Sequence, residues 1–221
     1  MKKWMVAAMI LSGLGYLIVS ESDITILKWI LKPGTVLFII CYAALSDKAN
    51  RPYRNLIVAG LLASAAGDCF LLIPGNQWFL WGLGSFLVAH LLYISAFLSR
   101  QRFAFYHCFY MIILVIYGYW LLERLGAGLR LQHIEQLWVP IGVYVLVISV
   151  MLWTAIVSRN WLASIGALSF VFSDTLLAWN MFIEPVSWAS FGVMISYYLA
   201  QFLIAASIRE NRGDHFFREL I

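Results

Sequence analysis

Charge is scarce in this 221-residue chain: Asp, Glu, Lys and Arg together make up 12% of it. Soluble domains carry about 25% charged residues. The shortage, beside 63% hydrophobic residues and a mean hydropathy of +0.85, excludes an ordinary water-soluble globule. The basic residues are dispersed over short loops and the formal net charge is +4, so no nucleic-acid patch is present. Cysteine is nearly absent. Cys41, Cys69 and Cys108 lie in or beside apolar runs, with no paired framework and no metal-type spacing, and predict neither disulfides nor a thiolate metal site. Of four histidines only His90 falls near other candidate site residues; His107 and His133 fall near membrane edges and His215 in the tail, which disfavours a metal hydrolase. Long loops are lacking too, the longest (123–136) being too small for a separate domain. After Met1-Lys2-Lys3 there is no convincing small-residue cleavage site, so the first apolar run reads as a retained helix.

What the chain does have is a series of apolar runs of the length that crosses a bilayer, about 20 residues each. Eight fit with little left over, near 4–20, 29–46, 54–73, 79–98, 104–122, 137–157, 161–182 and 187–208. The expected fold is all-α: a polytopic membrane bundle of eight helices forming one domain over 1–221. Pro74 and Pro185 mark tight joins, and Lys32-Pro33 reads as the outer start of span two, so no span is interrupted by a mid-helix Pro-Gly pair. With the N-terminus inside, eleven basic residues fall on the cytoplasmic side: Lys2, Lys3, Lys48, Arg51, Arg54, Arg100, Arg102, Arg159, Arg209, Arg212 and Arg218. Four (Lys28, Lys32, Arg124 and Arg130) fall outside. This asymmetry predicts an even number of spans with both termini cytoplasmic.

Two aspartates interrupt the apolar pattern in similar settings, Ser64-Ala65-Ala66-Gly67-Asp68-Cys69 and Phe170-Val171-Phe172-Ser173-Asp174-Thr175. A carboxylate at membrane depth costs several kcal/mol unless it is protonated or paired, so it is rarely idle. At 1.5 Å per residue Asp68 lies ~9 Å from Pro74 and Asp174 ~15 Å from Glu184 along their helices. Each span leads through a tight turn to a partner carrying polar side chains, His90 and Tyr93 in one case, Tyr198 and Gln201 in the other. Hairpins 54–98 and 161–208 therefore read as a weak internal repeat.

Positions three or four apart share a helical face. Ser64 with Asp68, His90 with Tyr93, Phe170 with Asp174 and Ala178, and Tyr198 with Gln201 form four stripes that lipid cannot satisfy. The economical arrangement points all four at one central pocket. Each residue also has a structural alternative. A buried imidazole can simply tie two helices, Gln201 can be helix–helix glue, Tyr93, Tyr144 and Tyr198 can be packing residues, and Lys32 can snorkel to an interface.

Taken in order, these fragments resemble the YhhN-like (TMEM86) membrane family. They are Lys32-Pro33, Ser64-x-x-Gly67-Asp68-x-x-Leu71-Leu72, Gly82-x-x-x-Phe86-x-x-x-His90-x-x-Tyr93, Pro140-x-x-x-Tyr144, Gly166-Ala167-x-x-Phe170-x-x-Ser173-Asp174-x-x-Leu177-Ala178 and Tyr198-x-x-Gln201. The resemblance covers nearly the whole chain, and the order of the fragments is more specific than any one of them. It implies a lysoplasmalogenase, which hydrolyses the vinyl ether of an alkenyl lysophospholipid to a fatty aldehyde and glycerophosphoethanolamine or glycerophosphocholine.

That chemistry suits the residues. A vinyl ether reacts by protonation of its alkene carbon to an oxocarbenium ion, and water then adds. Two carboxyls can divide these tasks, as in glycosidases, and burial beside a second carboxyl favours keeping one protonated. One of Asp68 and Asp174 is expected to be the acid and the other the water-activating base, with neither order fixed by sequence. His90, Tyr93, Tyr198 and Gln201 would position water and the ether oxygen, Ser64, Tyr144 and Ser173 would contribute to binding, and Lys32 would meet the head-group phosphate. No cofactor or metal is expected. The expected partners are the lysophospholipid and membrane lipid, with no nucleic acid and self-association left open. The expected location is the inner (cytoplasmic) membrane of a bacterium. An intramembrane aspartyl protease fits poorly, because position 65 is Ala where that class has Gly. A small proton-coupled transporter or a lipid-binding protein using the same aspartates is the stronger rival.

Overall fold

The computed structural model describes residues 2–19, 25–46, 50–101 and 104–209. Among the described residues eight α-helices follow one another: α1 Lys2–Val19, α2 Thr25–Ala44, α3 Arg51–Leu71, α4 Asn76–Leu98, α5 His107–Leu131, α6 Trp138–Val157, α7 Trp161–Phe182 and α8 Ala189–Ala206. No strand occurs among the described residues. Seven of these helices are long and apolar enough to cross a membrane, and α1 adds a shorter apolar stretch, Trp4–Val19. The chain is an integral membrane protein. Large apolar side chains such as Ile112, Ile116 and Tyr119 on α5 face outward, as a lipid solvent requires.

Helices α2, α3, α4, α6, α7 and α8 pack in a closed ring, while α1 lies outside against α2 and α8, and α5 outside against α6 and α7. The most extensive interfaces are α3 with α4 and α7 with α8. Small residues permit the first. A Cβ on Gly67 would stand 2.8 Å from the Phe86 ring and 3.2 Å from the Gly82 carbonyl, so the two backbones approach only because glycine is there.

The two ends of the bundle differ. At one end Tyr53 at the start of α3 hydrogen-bonds Ser207 beyond α8, Arg100 after α4 donates to the Ser207 carbonyl, and Asn160 caps α7. Arg51, Arg54, Arg159 and Arg209 sit at that same end. The opposite end holds the tight joins at Pro74-Gly75 and 183–188, together with the turn after α5.

The structure corrects two sequence expectations. The stretch 123–136 is not mainly loop: α5 runs on to Leu131. Gly128 makes this possible, since a Cβ there would stand 1.7 Å from the Phe182 carbonyl. Span two does not begin at Lys32 either. Helix α2 starts at Thr25 and passes through Pro33-Gly34, so the chain does contain a mid-helix Pro-Gly pair. Proline removes a backbone donor in this turn, and hydroxyls gather there: Thr35 Oγ1 donates to the Leu31 carbonyl at 2.8 Å and lies 2.9 Å from Ser12 Oγ, from which it can accept. A Lys-Pro pair imitates a helix start, where Pro is favoured, and that local signal conceals the apolar turn before it. Lys32 therefore does not belong among the loop cations. Lys48, Arg102, Arg212, Arg218 and His215 lie outside the described residues.

Candidate active site

A cavity of about 600 Å³ reaches the end of the bundle that holds the Pro74 join. Its rim includes Pro74, Gly75, Gln132, Ile134, Asn180 and Met181, and its inner lining includes Lys32, Asp68, Tyr144, Ser173, Asp174 and Tyr197. Both aspartates thus face one space, from α3 and α7.

Their surroundings are unlike. Asp68 is 2% exposed and has both oxygens engaged: Lys32 Nζ lies 3.2 Å from Oδ1, and Tyr197 Oη donates to Oδ2 at 2.7 Å. Lys32 is itself buried, as the eighth residue of α2. A carboxylate and an ammonium that share a dry site compensate each other's lost hydration, whereas either alone would be costly. Asp174 is half-buried and faces the cavity. Tyr144 Oη donates to its Oδ2 at 2.5 Å, and no cation among the described residues forms an ion pair with it. Beside it, Tyr117 and Thr175 share a hydrogen bond, and Ser173 Oγ donates to the Val193 carbonyl at 3.0 Å.

Of the ten residues expected at the site, Lys32, Asp68, Tyr144, Ser173 and Asp174 line the cavity. The other five do not. Ser64, His90, Tyr93 and Gln201 form a second polar layer about one turn further from the rim, and all are fully buried. There Tyr93 Oη donates to Gln201 Oε1 at 2.8 Å, and His90 Nδ1 donates to the Phe86 carbonyl at 2.5 Å. The His90 ring is enclosed by Phe170, Tyr144 and Tyr93. Among the described residues, Ser64 Oγ, His90 Nε2 and Gln201 Nε2 make no hydrogen bond that meets normal geometry. Tyr198 points another way, its ring edge-on to Tyr16 and its hydroxyl 3.5 Å from the Lys32 carbonyl. The expectation that all four polar stripes converge on one pocket is corrected accordingly: residues four apart share a face, but only one turn of that face reaches the cavity.

Tyr197, the direct partner of Asp68, lies outside the set of residues expected from sequence. The signal was present, since Tyr197 stands four residues before Gln201, the same interval that separates Ser64 from Asp68. Tyr198, three residues before Gln201, lies on a different side of α8, against Tyr16. Tyr16 and Tyr117 also line the cavity and carried no sequence signal beyond being aromatic. Among the described residues no group of three or more His, Cys, Asp or Glu side chains is placed to hold a metal ion.

The fold and the cavity define a helical integral membrane protein with two unlike carboxylates facing one intramembrane space. The chain belongs to the YhhN family, whose sequence profile matches residues 27–208. It is 34% identical over 166 residues to the rat (Rattus norvegicus) protein named lysoplasmalogenase TMEM86B, covering 73% of this chain and 64% of that one. It is 35% identical over 157 residues to human (Homo sapiens) lysoplasmalogenase TMEM86B, with 70% and 64% covered. A Mycobacterium bovis lysoplasmalogenase is 34% identical over 182 residues, with 76% and 65% covered. The matches thus take in slightly under two thirds of the length of these relatives. No solved structure matches the chain.

Proposed function

We propose that the protein is a lysoplasmalogenase, cleaving the vinyl ether of alkenyl lysophospholipids, and that its two aspartates divide the work unequally. The observation that carries this reading is the contrast between Asp68, ion-paired with both oxygens occupied, and Asp174, facing the cavity with only a phenol on Oδ2. An uncompensated carboxylate is the costlier anion at this depth, so Asp174 is assigned as the proton donor. Asp68, held as an anion by Lys32 and Tyr197, is assigned as the base and as the negative charge facing the cation that forms.

The cycle closes without an outside proton. Asp174 delivers its proton to the alkene carbon remote from oxygen, using the π pair, and leaves an oxocarbenium ion. Water bonds to the carbon attached to oxygen while Asp68 takes its proton, giving a hemiacetal. Asp174 then removes the hemiacetal hydroxyl proton as the bond to the glycerol oxygen breaks, and that oxygen takes the proton from Asp68. Fatty aldehyde and glycerophospho-alcohol leave, and both carboxyls return to their starting states. Lys32 acts through Asp68 in this scheme and not on the head-group phosphate.

Eight membrane crossings with both termini cytoplasmic are part of the proposal. The arginines at the α3 start, α4 end and α7 start mark the cytoplasmic end under the positive-inside rule, and the cavity rim then faces the outer side. A bacterial inner membrane is the proposed location, and α3–α4 with α7–α8 are proposed as related hairpins. A proton-coupled carrier is the second reading, favoured by the Pro33-Gly34 pair in α2 next to the Lys32–Asp68 ion pair. The deciding experiment incubates purified protein with an alkenyl lysophospholipid and its ester counterpart. Free aldehyde from the first and no hydrolysis of the second support the lysoplasmalogenase. Accumulation in proteoliposomes without chemical change would support the carrier and refute the hydrolase.

A further inference from the structure

The walls of the cavity are chemically unequal. On one side, α5 contributes Leu121 and Leu125, and α6 contributes Ile141 and Val145. These residues recur every four positions on each helix and, with Phe182, form a small apolar cluster separate from the main core. On the other side the lining comes from α1, α2 and α8 and includes the polar Tyr16, Lys32, Ser190 and Tyr197. Asp68 and Asp174 lie between. An alkenyl lysophospholipid carries its reactive bond at the junction of an apolar chain and a polar glycerophosphate, so its two arms must leave the aspartates along different walls.

We infer that the α5–α6 wall is the seat of the alkenyl chain, with Val145 flanking the chain near the reacting bond and Leu125 meeting it further along. This inference rests on the lysoplasmalogenase reading and deepens it by orienting the substrate. The helix directions set the order. α6 places Val145 one residue after Tyr144, which bonds Asp174, whereas Leu125 stands two turns beyond Tyr117, towards the rim residue Gln132. An apolar chain gains nothing from the Tyr16 and Lys32 wall, while the α5–α6 wall offers it no unsatisfied polar group.

Two substitutions with different expected signatures test the assignment. Leu125→Phe should lower kcat/KM for a long alkenyl chain by roughly tenfold or more while changing a short-chain substrate little, because one misfitted methylene-sized group in an apolar pocket already discriminates by about that much. Val145→Phe should lower both alike. Thermal unfolding in detergent identifies any variant that fails to fold, and Leu125→Met and Val145→Ile then provide smaller steps in the same directions. A saturated 1-O-alkyl lysophospholipid, which has no vinyl group to cleave, gives a readout free of chemistry: its affinity should show the same chain-length shift in Leu125→Phe. If aldehyde is produced but Leu125→Phe leaves the long-to-short ratio unchanged, the chain seat is wrong and the hydrolase stands. If alkyl lysolipids bind with the predicted shift but no vinyl ether is cleaved, the seat stands and the hydrolase is wrong.

Discussion

Asp68 on α3 and Asp174 on α7 are each preceded by a small residue and both line the same cavity, yet their environments diverge. Asp68 is sealed, with a lysine on one oxygen and a tyrosine on the other; Asp174 is half-buried and has a tyrosine alone. Two similar sequence settings thus acquire different electrostatic surroundings from what neighbouring helices bring. α2 supplies a cation to one, and α6 supplies only a phenol to the other. A membrane interior magnifies that distinction, since charges interact more strongly where the effective dielectric constant is low.

Replacing the carboxyls sharpens the contrast most. Asp174→Asn and Asp68→Asn should each lower kcat by about 100- to 10,000-fold, the usual span for a positioned acid or base, as measured by aldehyde release. The two should differ in stability, however: Asp68→Asn strands Lys32, whereas Asp174→Asn strands no cation. Lys32→Met is next in size. It leaves Asp68 buried without its partner and should cost about 3–5 kcal/mol. The double variant Lys32→Met/Asp68→Asn should recover much of that stability while remaining inactive, which chemical denaturation and an activity assay together would check.

The tyrosines give smaller and graded effects. Tyr197→Phe removes a hydrogen bond to an ionised carboxylate and should cost about 1.5–3 kcal/mol, while Tyr144→Phe removes one to a neutral carboxyl and should cost about 0.5–1.5 kcal/mol. Equal or reversed losses would break the assignment of acid and base. The residues just before the aspartates complete the series. Gly67→Ala pushes a methyl into Phe86 and should destabilise by about 1–3 kcal/mol, whereas Ser173→Ala forfeits one hydrogen bond, worth about 0.5–1.5 kcal/mol.

Much of this architecture can be read from the letters. The eight apolar runs correspond to the eight helices because hydropathy and length are the dominant constraints on a chain in lipid. The two aspartates are visible for the same reason: carboxyls are rare there. What sequence does not resolve is which turn of a polar stripe reaches the cavity. His90 and Asp174 look equally polar along the chain, yet one is walled in by Phe170 and the other faces open space. Lys32 is hidden by its neighbour, because Pro33 signals a helix start while α2 continues through it. The choice between Tyr197 and Tyr198 turns on a rotation of about 100° on α8, which only packing against α3 decides. Partner identity is a tertiary fact, and the ion pair joining α2 to α3 has no local signature.

The proposed division of labour requires the two carboxyls to be held in different protonation states, which infrared spectroscopy of the protonated carboxyl C=O stretch can read in the resting protein. A band that shifts on deuteration and disappears in Asp174→Asn, but persists in Asp68→Asn, is the predicted result. A band that persists in Asp174→Asn and disappears in Asp68→Asn would contradict it.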